Sequence, residues 1–339
     1  MRTNEPLYLV DMGSTRCRVW LTEKGRDWAR ASADFGVRDV ARGVPVSVLR
    51  QQLDRLIAEA GEIGLQAGIS TLPRFGIGAG MISSAQGLME IPHVPAPAAV
   101  ADLAGHMQAY RSGEPSGLTL FLVPGVKTLS QDSDVDSVLL SDMMRGEESL
   151  CIGLLATEQI RGPGAVLNLG SHWKWIFLDS EGRIAGSRTS LTGEIIHAVQ
   201  SQTLLASGLP QMRPTSLDPE WLALGSREYR RSGLSRALFC VRLLEQTEKG
   251  TDSQRLAFLY GVFLEADLEA FRNSHYSREM KDVSLIGPPS LTAAWQRGLS
   301  GSHLRISVVS EEQRDNAYLQ GLTRIFDVAR EQGLLPSSH

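Results

Sequence analysis

Asp11, Gly13, Ser14 and Thr15 interrupt an otherwise apolar run, "LYLVDMGSTRCRVWL", at residues 7–21. A small-residue turn between two strands leaves backbone N–H groups free to meet phosphate oxygens, and the two hydroxyls add donors. The acid just before the turn can hold magnesium, directly or through water, because that ion prefers carboxylate and water oxygens. A plain β-hairpin with glycine at its bend would show the same local pattern. The pattern returns, however, in the second half of the chain, where Gly170, Ser171 and His172 interrupt "VLNLGSHWKWIFLD". Two phosphate-grasping turns, one in each half, suit a triphosphate held in a cleft. A third cluster, "MMRGEES" at residues 143–149, sets Arg145 beside Glu147 and Glu148. An acid facing a cleft there could accept the proton of an attacking hydroxyl.

Rival motifs fail on the same sequence. A P-loop needs Gly-Lys, a dipeptide that never occurs here. "GIGAGM" at 76–81 lacks the third glycine of a dinucleotide fingerprint. Gly78 and Gly80 therefore read as a loop lining a cleft. HExxH, GxSxG and EF-hand patterns are absent.

The elements that must position these groups follow from periodicity. Residues 7–12 and 17–22 read as a strand pair, and 46–62 carry apolar residues at helical spacing. Residues 74–84 read as a buried strand entering a glycine-rich loop, and 118–126 as a strand stopped by Pro124 and Gly125. The stretch 137–160 reads as helix. After the Gly-Pro-Gly at 162–164 a second strand–turn–strand unit begins. Long helices fill 220–275, and 282–295 read as a late strand entering a loop and helix. The repeated grammar predicts a duplicated α/β architecture, divided into residues 1–155 and 156–339.

Bulk properties narrow the class. A chain of 339 residues exceeds what one core usually serves. A net charge of −4, without a long Lys/Arg cluster, argues against nucleic acid. No apolar run approaches the roughly 20 residues of a membrane span, and the N-terminus lacks a signal peptide's apolar core. Cys17, Cys151 and Cys240 are odd in number and widely spaced, which predicts reduced thiols in a cytoplasmic protein.

Seven blocks, taken in order, resemble the 2-dehydro-3-deoxygalactonokinase family: "VDMGSTRCRVWL", "GAGMISSAQG", "VPGV", "MRGEES", "LNLGSHWKWIFL", "SLTGEIIHAV" and "LIGPPSLTAAW". The resemblance implies a two-lobed, duplicated actin-like ATPase fold of ribonuclease H-like units around a central cleft. It implies transfer of the ATP γ-phosphate, with Mg2+, to the 6-hydroxyl of 2-dehydro-3-deoxygalactonate in galactonate breakdown. Asp11, Gly13, Ser14 and Thr15 match the first phosphate turn and its metal-associated acid; Gly170, Ser171 and His172 match the second. Arg18 matches a family arginine, and Gly287 stands where the adenosine-binding loop lies. Gly146-Glu147 falls where related sugar kinases place Gly-Asp, making Glu147 the expected base, with Glu148 and Asp142 as alternatives. Gly80, Met81, Arg18, Arg145 and Lys174 are the expected sugar-acid contacts, the three cations being candidates for the substrate carboxylate. A kinase of a related sugar or sugar acid, or a non-catalytic sensor on the same scaffold, stays open, as does a homodimer. Met12, Trp173 and Pro288 depart from the family pattern and are expected to affect the sugar-acid or adenine fit.

Overall fold

A computed structural model describes residues 5–24, 26–113, 117–128 and 134–335. The chain divides into two compact units. The first runs to Gln159 and takes up Gly182–Gly186 and the stretch from Glu312 onward; the second comprises Ile160–Glu181 and Ser187–Glu311. The first crossing lies close to the expected boundary at 155. The final stretch differs from the expected division, because it returns to the first unit. Its helix, Glu311–Glu331, crosses the helix Glu147–Ala156 where two glycines meet, and a Cβ on Gly321 would lie 1.8 Å from the Ser149 carbonyl oxygen. Its Phe326 also packs edge-on against Phe121 at 6.0 Å.

The first unit is built on strands β1 (Leu7–Met12), β2 (Cys17–Glu23), β3 (Arg26–Ala33), β4 (Phe75–Gly80), β5 (Val94–Pro95), β6 (Gln108–Arg111), β7 (Thr119–Leu122), β8 (Val126–Thr128) and β9 (Asp142–Met144). Its main sheet has the order β3-β2-β1-β4-β7-β6, with β1 antiparallel to β2 and parallel to β4. The second unit carries β10 (Gly164–Leu169), β11 (Trp173–Leu178), the part of β12 (Ile184–Ser190) from Ser187 onward, β13 (Asp282–Ile286) and β14 (Arg305–Val309). Its sheet has the order β12-β11-β10-β13-β14, again with the first pair antiparallel and β10 parallel to β13. Both sheets thus begin third–second–first–fourth in their own chain order; the second ends on its fifth strand, and the first continues through β7 to β6, antiparallel at the edge. This is the ribonuclease H-like unit used twice in the actin-like ATPase fold.

Burial explains why these runs are strands. Leu9, Val10, Val19 and Leu21 are fully buried in the first sheet, as are Ala165, Val166, Leu167 and Ile176 in the second. Each buried Val, Leu or Ile contributes about 1.5–3 kcal/mol. In the first unit the sheet is covered by the helix Val46–Gln66, which buries Leu49, Leu53, Leu56 and Ile57. In the second, Trp175 stacks on Phe271 of the helix Asp252–Arg272 at 4.1 Å and meets Trp295 edge-on at 5.5 Å.

One segment differs from the sequence reading. The helix expected over 137–160 is broken in two, Val135–Leu140 and Glu147–Ala156, with β9 between them pairing with β8. The break is at Gly146, whose φ of +112° no other residue type adopts readily. Among the described residues no helix is long and apolar enough to cross a membrane.

Candidate active site

The two turns occupy equivalent places in the two sheets. Residues 13–16 join β1 to β2, with the Gly13 amide donating to the Arg16 carbonyl at 2.8 Å, while residues 170–172 join β10 to β11. Ser14, Thr15, Gly170, Ser171 and His172 are all exposed, so each turn presents its tip to solvent. Behind each stands a glycine. A Cβ on Gly36 would lie 2.4 Å from the Gly13 carbonyl oxygen, and one on Gly193 would lie 2.6 Å from the carbonyl oxygens of Gly170 and Ser171. Gly36 starts the helix Val37–Ala41, and Gly193 lies in the first turn of the helix Thr192–Gln202. Gly193 falls in the family block "SLTGEIIHAV", where a cleft-shaping role is expected, whereas Gly36 did not stand out in the sequence, because the close approach it permits is set by tertiary packing.

The equivalence extends to the fourth strand of each unit. Gly80 follows Met12 in register with φ +87°, its hypothetical Cβ 2.5 Å from the Met12 carbonyl oxygen; Gly287 has φ +153° and abuts Leu169 at 2.7 Å. The expected sugar-acid residue Gly80 and the expected adenosine-loop residue Gly287 are therefore counterparts. Gly287 leads into a depression lined by Gly170, Trp173, Arg213, Tyr260, Pro288 and Ser290. Trp173 lies at its edge yet is only 3% exposed. Met12, in contrast, is fully buried in the first core and reaches no surface.

Chemistry distinguishes the two copies. In register, Asp11 of β1 faces Arg18 of β2, while Asn168 of β10 faces Lys174 of β11. The acid has thus become an amide in the second copy. The Asp11 carboxylate is held on both oxygens. Arg18 donates to Oδ2 through Nε at 3.0 Å and Nη2 at 2.5 Å, and the Tyr318 hydroxyl donates to Oδ1 at 3.0 Å. Burial opposes charge on Arg18, but Asp11, with Asp315 and Tyr318 behind it, outweighs this and raises its pKa. Arg18 also donates to Asp315 at 2.9 Å, so this expected sugar-acid contact is committed to two protein carboxylates. Lys174 is only 7% exposed and is not without a partner.

Arg145 is the contrasting cation. It donates to Ser83 Oγ and the Ile91 carbonyl, both at 2.8 Å, and approaches His93 Nδ1 at 3.3 Å, all uncharged partners. Burial lowers its pKa, and Glu148 and Glu90 offset this only in part. A half-buried guanidinium so placed favours an anion. Through Ser83 it also steadies the turn Met81–Ser83, where Met81 is half-buried.

Glu147 and Glu148 open the helix Glu147–Ala156, where negative charge is favoured by the helix dipole. Their environments differ. Glu148 is fully buried, and both its oxygens accept from the Gly146 amide at 2.7 and 2.8 Å. Burial first, then Glu147, pushes its pKa up to about 7. Glu147 is half-buried, as is Asp142, whose carboxylate accepts from the Met143 amide at 2.8 Å. Gly146 packs on Gly80, a Cβ on it lying 3.2 Å from the Gly80 Cα, and Gly80 in turn borders Asp11. The first unit therefore gathers Asp11, Gly80, Arg145 and the Glu147 helix start in one neighbourhood. In the second unit His172 pairs with Glu194 at 2.9 Å beside the turn, both side chains exposed.

Among the described residues no group of three or more His, Cys, Asp or Glu could hold a metal ion. A magnesium ion that travels with nucleotide phosphates needs only one or two carboxylates, the rest being phosphate and water oxygens. Asp11 accepts three hydrogen bonds, and the lone-pair site it keeps free fits that requirement.

The comparisons with known proteins agree along most of the chain. The family model for 2-keto-3-deoxy-galactonokinase matches residues 11–325. The 2-dehydro-3-deoxygalactonokinase of Escherichia coli (strain K12) is 24% identical over 317 residues, covering 93% of this chain and 96% of its own. A Rhizobium meliloti (strain 1021) protein provisionally given the same name is also 24% identical, over 326 residues, covering 93% and 95%. The crystal structure of a Sinorhizobium meliloti protein, again provisionally so named, superposes with a TM-score of 0.72 at 22% identity, covering 97% of this chain and 100% of that one, and shares the fold. By the extent of the family match, the chain belongs to the 2-keto-3-deoxy-galactonokinase family.

Proposed function

We propose that this chain transfers the γ-phosphoryl group of ATP to the 6-hydroxyl of 2-dehydro-3-deoxygalactonate. The observation that carries the reading is the doubled strand–turn–strand unit with an acid in one copy only, Asp11 against Asn168. Phosphoryl transfer requires positioning, charge neutralisation and one base, in place of covalent chemistry by the protein. The exposed turns at 13–16 and 170–172 each offer amide and hydroxyl donors to phosphate oxygens. Asp11 would hold the magnesium ion, which supplies neutralisation of charge on the phosphates.

Glu147, at a helix start and half-buried, takes the proton of the 6-hydroxyl. Glu148 is the poorer candidate, since both its oxygens are already bonded to the Gly146 amide. Arg145, whose partners are uncharged, anchors the carboxylate of the sugar acid. The three cysteines are unpaired, which fits a reducing compartment, and we place the chain in the cytoplasm. The test is ADP release with Mg2+·ATP and a panel of 2-keto-3-deoxy acids and neutral sugars. The expected result is stimulation by 2-dehydro-3-deoxygalactonate above every neutral sugar. Stimulation by no acid in the panel would sink the substrate class.

A further inference from the structure

We propose that the last helix, Glu311–Glu331, serves the metal-and-phosphate end of the first unit: Tyr318 directly, and Asp315 through Arg18, position the Asp11 carboxylate. The inference rests on the reading above that Asp11 meets the nucleotide's metal ion.

Two donors reach Asp11 from different elements. Arg18 comes from β2 and bonds Oδ2; Tyr318 comes from a helix 307 residues away and bonds Oδ1. A carboxylate free to turn about its Cβ–Cγ bond would lose part of its affinity for a metal to that freedom, and a donor on each oxygen removes it. The lone pair that remains, on Oδ1, has a fixed direction. On the Oδ1 side Gly80 leaves room, since even an added Cβ would stay 3.4 Å away.

Arg18 is fixed in turn. Its guanidinium lies over Trp20 at 5.1 Å, and Trp20, only 1% exposed, meets the Tyr318 ring at 6.4 Å. Its far side bonds Asp315 at 2.9 Å, one helical turn before Tyr318. Asp315 also accepts from Arg30 at 3.3 Å and Arg314 at 2.9 Å. A half-buried Arg18–Asp11 pair by itself would neutralise the acid and compete with a cation. Shared with a second carboxylate, Arg18 orients Asp11 while leaving it more of its charge. Tyr318 and Asp315 are thus positioning residues that touch no reacting atom.

The experiment measures Mn2+-dependent binding of a non-hydrolysable ATP analogue to the full chain by calorimetry, with Mn2+ EPR as a second readout. Thermal midpoint and sugar-acid KM are recorded in parallel. Tyr318→Phe is expected to weaken Mn2+·analogue binding about tenfold, with sugar-acid KM nearly unchanged and the midpoint lowered by no more than the loss of one hydrogen bond explains. Asp315→Asn should weaken it in the same direction, by less, with an altered Mn2+ EPR signal. Folded Tyr318→Phe binding the complex as the parent does would overturn the inference. Should that variant not fold, Asp315→Asn decides on the same criterion. Asp11→Asn separates the two levels: loss there with none in Tyr318→Phe overturns this inference alone, and no loss in Asp11→Asn overturns the reading beneath it.

Discussion

Gly193→Ala probes the second turn without touching a ligand-facing side chain. The added methyl carbon would lie 2.6 Å from two backbone carbonyl oxygens, those of Gly170 and Ser171, where ordinary contact begins at 3.4 Å. Neither obstacle is a flexible side chain, so the exposed turn must move by most of the difference. An amide poised about 2.9 Å from a phosphate oxygen would then stand near 3.5 Å, beyond useful hydrogen-bond range. Losing one hydrogen bond to a charged oxygen costs about 1.5–3 kcal/mol, so nucleotide affinity should fall between tenfold and a hundredfold. Stability should fall by about 0–2 kcal/mol. Overpacking costs about 1–3 kcal/mol, and alanine's helix propensity within Thr192–Gln202 returns about 1 kcal/mol. Calorimetry of the Mg2+·ATP analogue, beside the sugar-acid KM, reads both effects. Gly105→Ala, with nothing within 4 Å of the new atom, is the control. A Gly193→Ala variant with parental nucleotide affinity would refute the assignment of this turn to phosphate.

Further outcomes follow from the first unit. Glu147→Gln should lower kcat at least about a hundredfold with little change in KM, and full turnover would reject Glu147 as the base. Arg145→Met should raise the sugar-acid KM more than the ATP KM, and a reversed pattern would remove the substrate carboxylate from Arg145. Glu148 titrates near 7 in the folded chain against 4.5 for the ordinary carboxyl. The folded state therefore retains this proton longer, and its contribution, complete below pH 4.5, is lost as pH rises through 7, by up to about 3 kcal/mol. Denaturation midpoints of Glu148→Gln should gain on the parent between pH 5 and 8, and a constant difference would contradict the burial argument.

What the sequence disclosed was local. A strand–turn–strand unit is written in neighbouring residues, so the alternation around Gly13 and Gly170 exposed both turns, and their repetition pointed to the duplicated fold. The contacts of Asp11 were not legible. Asp315 and Tyr318 lie 297 and 307 residues from their partners in the first strand pair, so no local pattern ties them to it. Arg18 and Arg145 look alike as isolated arginines; only the fold reveals that one faces two carboxylates and the other neutral acceptors. The three-residue strand β9 was hidden for a related reason, since Met143 and Met144 satisfy helical spacing as readily as strand pairing with β8.

The most direct test of the account is the position of the phosphate in the product. The chain is incubated with Mg2+·ATP and 2-dehydro-3-deoxygalactonate, and the product is examined by 31P–1H correlation NMR. The account predicts one phosphate per ADP formed, coupled to the two protons on C6. Phosphate on another oxygen, or ATP hydrolysis with no phosphorylated sugar acid, would contradict it.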